Sequence, residues 1–141
     1  LLHQCFERSL ALMTATQESA SACGGTGLAE LQRCVTELFE VQTGEAGPLI
    51  RFNLIPSLSA PYKNKILDGI ERVSHRFGTL IEKGQADGSI RPVDAYVAEQ
   101  MLMTAIDLSA ELPWMRETGN LAEACRSYFG FFFSGLSNTE A

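Results

Sequence analysis

The chain has 141 residues, 45% hydrophobic and 20% charged, with a net charge of −6 and a pI near 4.9. That length suits one domain whose core needs no disulfide staples, and no apolar run approaches the roughly 18 residues of a membrane span. The acidic balance argues against DNA binding by these residues, because a DNA reader neutralises phosphates with lysine and arginine.

The chain opens "LLHQCFERSLALM", with no initiator methionine, basic leader or small-residue cleavage site. The expectation is a chain that starts inside a longer protein and carries no signal peptide. Leu2, Phe6, Ser9, Met13 and Thr16 share one face at helical spacing and predict a helix over 1–20. "SACGGTG" (21–27) breaks it. A second helix is expected over 28–42, with Leu31, Val35, Leu38 and Phe39 inward, and "TGEAGP" (43–48) ends it. The apolar stretch 49–58 contains Pro56 and reads as a short helix. Pro61 suits the first turn of the next helix. Tyr62, Ile66, Ile70, Val73, Phe77, Leu80 and Ile81 then form a long stripe, with His75 on the opposite, solvent-facing side.

"IEKGQADGSIRPVDA" (81–95) has the chemistry of a corner. Gly88 stands where a helix end needs a left-handed residue. Pro92 cannot continue the helix. Asp94 is placed to cap the helix that follows. That helix is expected over 95–112, stopping near Pro113, and a last one over 121–135. Apolar residues cover half or more of the circumference of both, whereas a helix on one core needs a stripe of about 100°. The excess implies a homodimer in which these two helices from each copy form a four-helix bundle. Ala98, Leu102, Ala105, Ile106, Ser109, Tyr128, Phe131, Phe132 and Gly135 are the expected interface. A monomer with the last helix at its centre is the alternative. The expected fold is all-α, with six helices in a single domain over 1–141 and no internal repeat.

Chemistry-bearing clusters are scarce. Cys5, Cys23, Cys34 and Cys125 form no C-x-x-C pair, and His3 and His75 lie far apart, so no metal site is expected. The thiols are expected to be reduced, with Cys23 the accessible one. No basic residue adjoins Cys23 in sequence to lower its pKa, as a sensor thiol needs. "GGTG" (24–27) lacks the lysine and spacing of a phosphate loop. Glu71 and His75 are a lone i, i+4 pair on a solvated face, a weak basis for acid–base work. No catalytic residue and no cofactor is expected.

"LIEKGQADGSIRPVDAYVAEQML" (80–102) resembles the junction between the long helix and the dimerisation helix in the C-terminal domain of TetR-family transcriptional repressors. The resemblance extends to the order of helices over nearly the whole chain. It implies a cytoplasmic, homodimeric, ligand-sensing domain. DNA would be reached only through an N-terminal helix-turn-helix domain that this sequence does not contain. A small hydrophobic effector would enter a cavity among the first five helices and shift the spacing of the two readers. Phe6, Met13, Phe39, Phe52, Ile55, Tyr62, Ile66 and Ile70 are the apolar candidates for that cavity. Asn53, Gln100, Met103 and Asp107 are candidate anchors, and a buried Asp107 would favour a cationic or hydrogen-bond-donating effector. Trp114 is expected at the edge of the pocket or at the dimer seam. The competing function is a helical adaptor without a small ligand. A sensor should enclose about 300–1,000 Å³, and an adaptor should have a filled core beside an exposed groove.

Overall fold

The computed structural model describes residues 1–45, 47–111 and 120–138. The elements run α1 (Leu2–Ala22), α2 (Gly27–Thr43), a 3-10 helix (Phe52–Ser57), α3 (Ala60–Asp87), α4 (Ala95–Ser109) and α5 (Leu121–Leu136). Among the described residues there is no strand, and one isolated bridge joins Ile90 to Ser137. The fold is therefore the all-α arrangement expected.

The starts of α2, α3, α4 and α5 have local causes. The Thr26 side chain accepts the Ala29 N–H at 3.1 Å and caps α2. Pro61 sits in the first turn of α3. Asp94 accepts the Val97 N–H at 3.1 Å, and Asn120 accepts that of Glu123 at the same distance. Gly88 ends α3 at φ +84°, a conformation that disfavours any other residue. All these turns were marked in the sequence except the caps at Thr26 and Asn120.

The corner after α3 also does something at long range. Asp87 Oδ2 accepts the Gly27 N–H at 2.7 Å, and Ser89 Oγ accepts the Leu28 N–H at 3.2 Å. The corner thus caps α2, a helix some sixty residues earlier in the chain. Bonds from the Ser89 hydroxyl, the Gly27 N–H and the Ser89 N–H hold the Asp87 carboxyl below its ordinary range. Gly27 lies directly against α3, and a Cβ there would overlap the backbone of Gly84. Arg91 and Asn138 tie the same corner to the end of α5 through backbone bonds to Leu136 and Ser89.

The main core joins Leu31 and Leu38 of α2, Phe77 and Ile81 of α3, Leu102 of α4 and Phe129 of α5. Phe6, Leu58 and Ile66 form a smaller cluster under the 3-10 helix. No described helix is long and apolar enough to cross a membrane.

Three expectations need correction. The stretch 49–58 is not a regular helix. It runs extended to Arg51 and then makes a 3-10 helix with no buried residue; Pro56 has no N–H to offer an α-helical ladder. On α4, Ala98, Leu102, Ile106 and Ser109 are 6%, 0%, 3% and 6% exposed. They face the protomer's own core. The large hydrophobic residues that α4 leaves uncovered are Tyr96, Val97, Met101 and Leu108. On α5, Tyr128 and Phe132 are half-buried, Gly135 is exposed, and Phe131 is 90% exposed. The Tyr128 hydroxyl donates to the Ala105 carbonyl at 2.7 Å and closes α5 on α4. The third correction concerns thiols: Cys5 is exposed as well as Cys23, while Cys34 is buried and its thiol is pushed up to about 12 by desolvation. Leu112, Pro113 and Trp114 lie outside the described residues.

Candidate functional site: a closed cavity and an open groove

The extended residues before the 3-10 helix are held by side chains, not by a backbone ladder. The Leu49 N–H donates to Gln42 Oε1 of α2 at 2.7 Å. The Ile50 N–H donates to Ser9 Oγ of α1 at 2.9 Å. The Phe52 N–H donates to Asp107 Oδ1 of α4 at 3.0 Å. Three helices therefore each supply one acceptor to the extended residues Leu49 and Ile50 and to Phe52, the first residue of the 3-10 helix.

The anchors are themselves fixed. Gln42 Nε2 donates to the Ile106 carbonyl at 3.0 Å. Arg51 grips Asp107 through two bonds, Nε to Oδ1 at 3.1 Å and Nη2 to Oδ2 at 3.3 Å, and also pairs with Glu111. The Arg51 and Asp107 side chains are only 19% and 15% exposed. Paired planar groups in this geometry form the stronger class of hydrogen bond. Glu111 and then Asp107 raise the Arg51 pKa, and in return Arg51 holds the Glu111 carboxyl below its ordinary range.

Behind this segment lies a small enclosed space. Phe6, Ser9 and Met13 of α1 line one side, Gln42 the end, Ile106 and Asp107 the far wall, and Leu49, Ile50 and Phe52 the cover. Its free volume is about 10 Å³, near the least that admits one water. The cavity is closed and its lining polar groups are satisfied by the segment itself.

Phe52 also borders a second space. An open groove of about 950 Å³ runs between α3 and α4, lined by Ile70, Ser74, His75, Glu99, Gln100 and Met103 among others. Gln100 Nε2 donates to Ser74 Oγ at 3.1 Å across it. Phe52 thus lines both the small apolar cavity and the open groove of mixed polarity.

The expected ligand residues divide accordingly. Phe6, Met13, Phe52 and Asp107 meet at the closed cavity. Phe52, Ile70, Met103 and Gln100 meet at the groove. Ile66 is buried beside Phe6 in the smaller cluster, with Ile55 packed on its edge. Phe39 belongs to the main core, its ring edge-on to Phe129 at 6.3 Å. Asn53 is exposed. Tyr62 is 43% exposed and stacks on His3 at 3.9 Å. Asp107 does not offer an open charge, because Arg51 of the same chain already occupies it. Sequence reasoning missed Ser9, Gln42 and Arg51 as parts of the site. It also missed Glu99, which the structure places with Ala98, Leu102, Met103 and Ile106 among the buried residues of α4.

Among the described residues there is no cluster of His, Cys, Asp and Glu fit to hold a metal. Residues 24–136 match the family described as tetracyclin repressor-like, C-terminal domain. The fold is similar to a crystal structure of a bacterial regulatory protein in the tetR family from Rhodococcus RHA1. That likeness has a TM-score of 0.72 and 17% identity, and covers 96% of this chain and 73% of that one. No curated protein matches the sequence. The family match spans most of the chain and supports a regulatory role in ligand binding and dimerisation, in a family that is generally non-enzymatic. The chain belongs to the tetracyclin repressor-like C-terminal domain family.

Proposed function

We propose that this chain is the effector-binding and dimerisation domain of a cytoplasmic one-component transcriptional regulator. A small hydrophobic effector enters behind residues 49–52, and DNA is bound through a separate domain upstream. The observation that carries this reading is the attachment of Leu49, Ile50 and Phe52 by Gln42, Ser9 and Asp107. A cover held by side chains from three helices can lift without unravelling any of them. In this arrangement Phe52, Leu49 and Ile50 cover the small cavity.

Coupling follows from the lining. Phe6, Ser9 and Met13 all belong to α1, so a ligand that widens the cavity pushes on α1 and on any domain joined to its start. Only the difference in affinity between the closed and open arrangements shifts their populations. Operator half-sites lie about one DNA turn apart, roughly 34–36 Å, so a small tilt of α1 alters the fit of two readers.

For the dimer, Val97, Met101 and Leu108 of α4 with Phe131 of α5 supply the apolar face. They replace the small residues that the core has taken up. The reading implies neither a catalytic residue nor a cofactor.

A specific observation favours the second reading, a helical adaptor: the enclosed space is nearly filled while a groove stands open. A thermal-shift screen with small apolar compounds separates the two. An effector at 100 times its Kd stabilises the chain by about 2.7 kcal/mol, and the Met13 methyl signal shifts. An adaptor shows neither response, and its groove captures a peptide instead.

A further inference from the structure

The groove between α3 and α4 holds one group that the effector reading does not use. Glu99 is 7% exposed. Among the described residues its carboxylate accepts no hydrogen bond and forms no ion pair. The side chain is largely covered, and no cation or hydrogen-bond donor of the described chain stands against its carboxylate, which lines the groove. Gly78 on α3 faces it, and a Cβ at Gly78 would overlap Glu99 Oε2.

The nearby cations are turned elsewhere. Arg76 Nη1 donates to Glu18 of α1 at 3.3 Å. Lys83 Nζ donates to Glu30 of α2 at 2.5 Å. Arg72 lies back over Gly69, its Nη2 3.7 Å from where a Gly69 Cβ would stand. Asp68 and Glu71 add negative charge along the same groove, and His75 lines it without pairing to Glu99. One helical turn along α4 from Glu99 stands Met103, and beyond it Ile70 and Phe52. The lining thus carries Asp68, Glu71 and Glu99 against Arg72 and Arg76, and Ile70, Met103 and Phe52 supply apolar surface.

We infer that this groove is a binding site for a small organic cation with an apolar body, its ammonium group paired with Glu99 and its body lying along Met103 and Phe52. The site stands apart from the closed cavity: it needs no movement of residues 49–52, and its anchor is Glu99, not Asp107.

Three soluble probes of nearly one shape test it: 2-phenylethylamine, protonated at pH 7.5; neutral 2-phenylethanol; and anionic phenylacetate. Affinity is read by calorimetry and location by the methionine methyl signals. The amine is expected to bind at least about tenfold tighter than the alcohol, shifting Met103 and leaving Met13 in place. Glu99→Gln, which keeps the shape and removes the charge, is expected to erase that preference while the alcohol binds as before. Equal binding of the amine to the parent and to Glu99→Gln overturns the proposal. So does a shift confined to Met13, or the absence of any preference for the amine. A groove already filled by a second copy overturns it too; dissociation of a dimer by Glu99→Gln would reveal that. The effector reading fails by a different sign, since it requires apolar compounds to shift Met13 whatever stands at Glu99.

Discussion

Phe52 donates its backbone N–H to Asp107 Oδ1 at 3.0 Å while Arg51, one residue earlier, holds both oxygens of the same carboxylate. One side chain of α4 thus fixes both Phe52 and its neighbour. Asp107→Ala strips the acceptor from the Phe52 N–H and one partner from a largely buried guanidinium. The expected loss is about 1–3 kcal/mol, measured by urea unfolding, with faster amide exchange at Phe52 than in the parent.

Two carboxylates give a signature in acid. Arg51 depresses Glu111, and Ser89 with the Gly27 N–H depresses Asp87. A depressed folded-state pKa means that each contribution is complete above the ordinary carboxylate value and is lost as pH falls through the lower folded value. In a carbon-13 titration both groups should protonate later than the ordinary values of 4.5 and 3.8. Arg51→Met should return Glu111 to its ordinary range and leave Asp87 alone.

Gly78 and Glu99 should be coupled. Gly78→Ala places a methyl group where Glu99 Oε2 stands; the flexible end of Glu99 can swing aside, so the expected loss is below about 1 kcal/mol. Glu99→Ala removes a carboxylate that has no partner and should be close to neutral or stabilising. The double variant should recover most of the Gly78→Ala loss, and a double-mutant cycle measures the difference. Additive losses would mean that the two residues do not meet.

The two faces of α4 should respond in opposite ways. Leu102 is wholly buried in the protomer, so Leu102→Ala should cost about 2–5 kcal/mol of fold stability. Met101 and Phe131 are 61% and 90% exposed. Met101→Asp and Phe131→Asp should leave the helical signal intact and shift a dimer to monomer in sedimentation. Unchanged self-association in both would move the interface elsewhere.

Much of this fold is legible residue by residue. Gly88, Pro92 and Asp94 announce the corner because turn chemistry is local, and Leu31, Phe77 and Ile81 announce the core because helical period is local. What stays hidden is whatever joins distant segments. Nothing around Asp87 shows that its carboxylate caps α2 at Gly27. Nothing around Gln42 or Ser9 shows that they hold Leu49 and Ile50. The outward face of α4 is hidden for a related reason. α4 is apolar over so wide an arc that composition cannot say which side meets its own core, and the small residues Ala98 and Ser109 proved to be on that side. Glu99 escaped notice because its charge outweighed its position in the stripe.

The central claim is that residues 49–52 form a cover that lifts on its own. Native-state hydrogen exchange tests it most directly. The amides of Leu49, Ile50 and Phe52 should exchange through a local opening several kcal/mol below global unfolding, while those of Leu38 and Phe77 in the main core should exchange only with the whole domain. If all five amides share one opening free energy and one dependence on denaturant, the segment is part of the core and the account of effector entry is wrong.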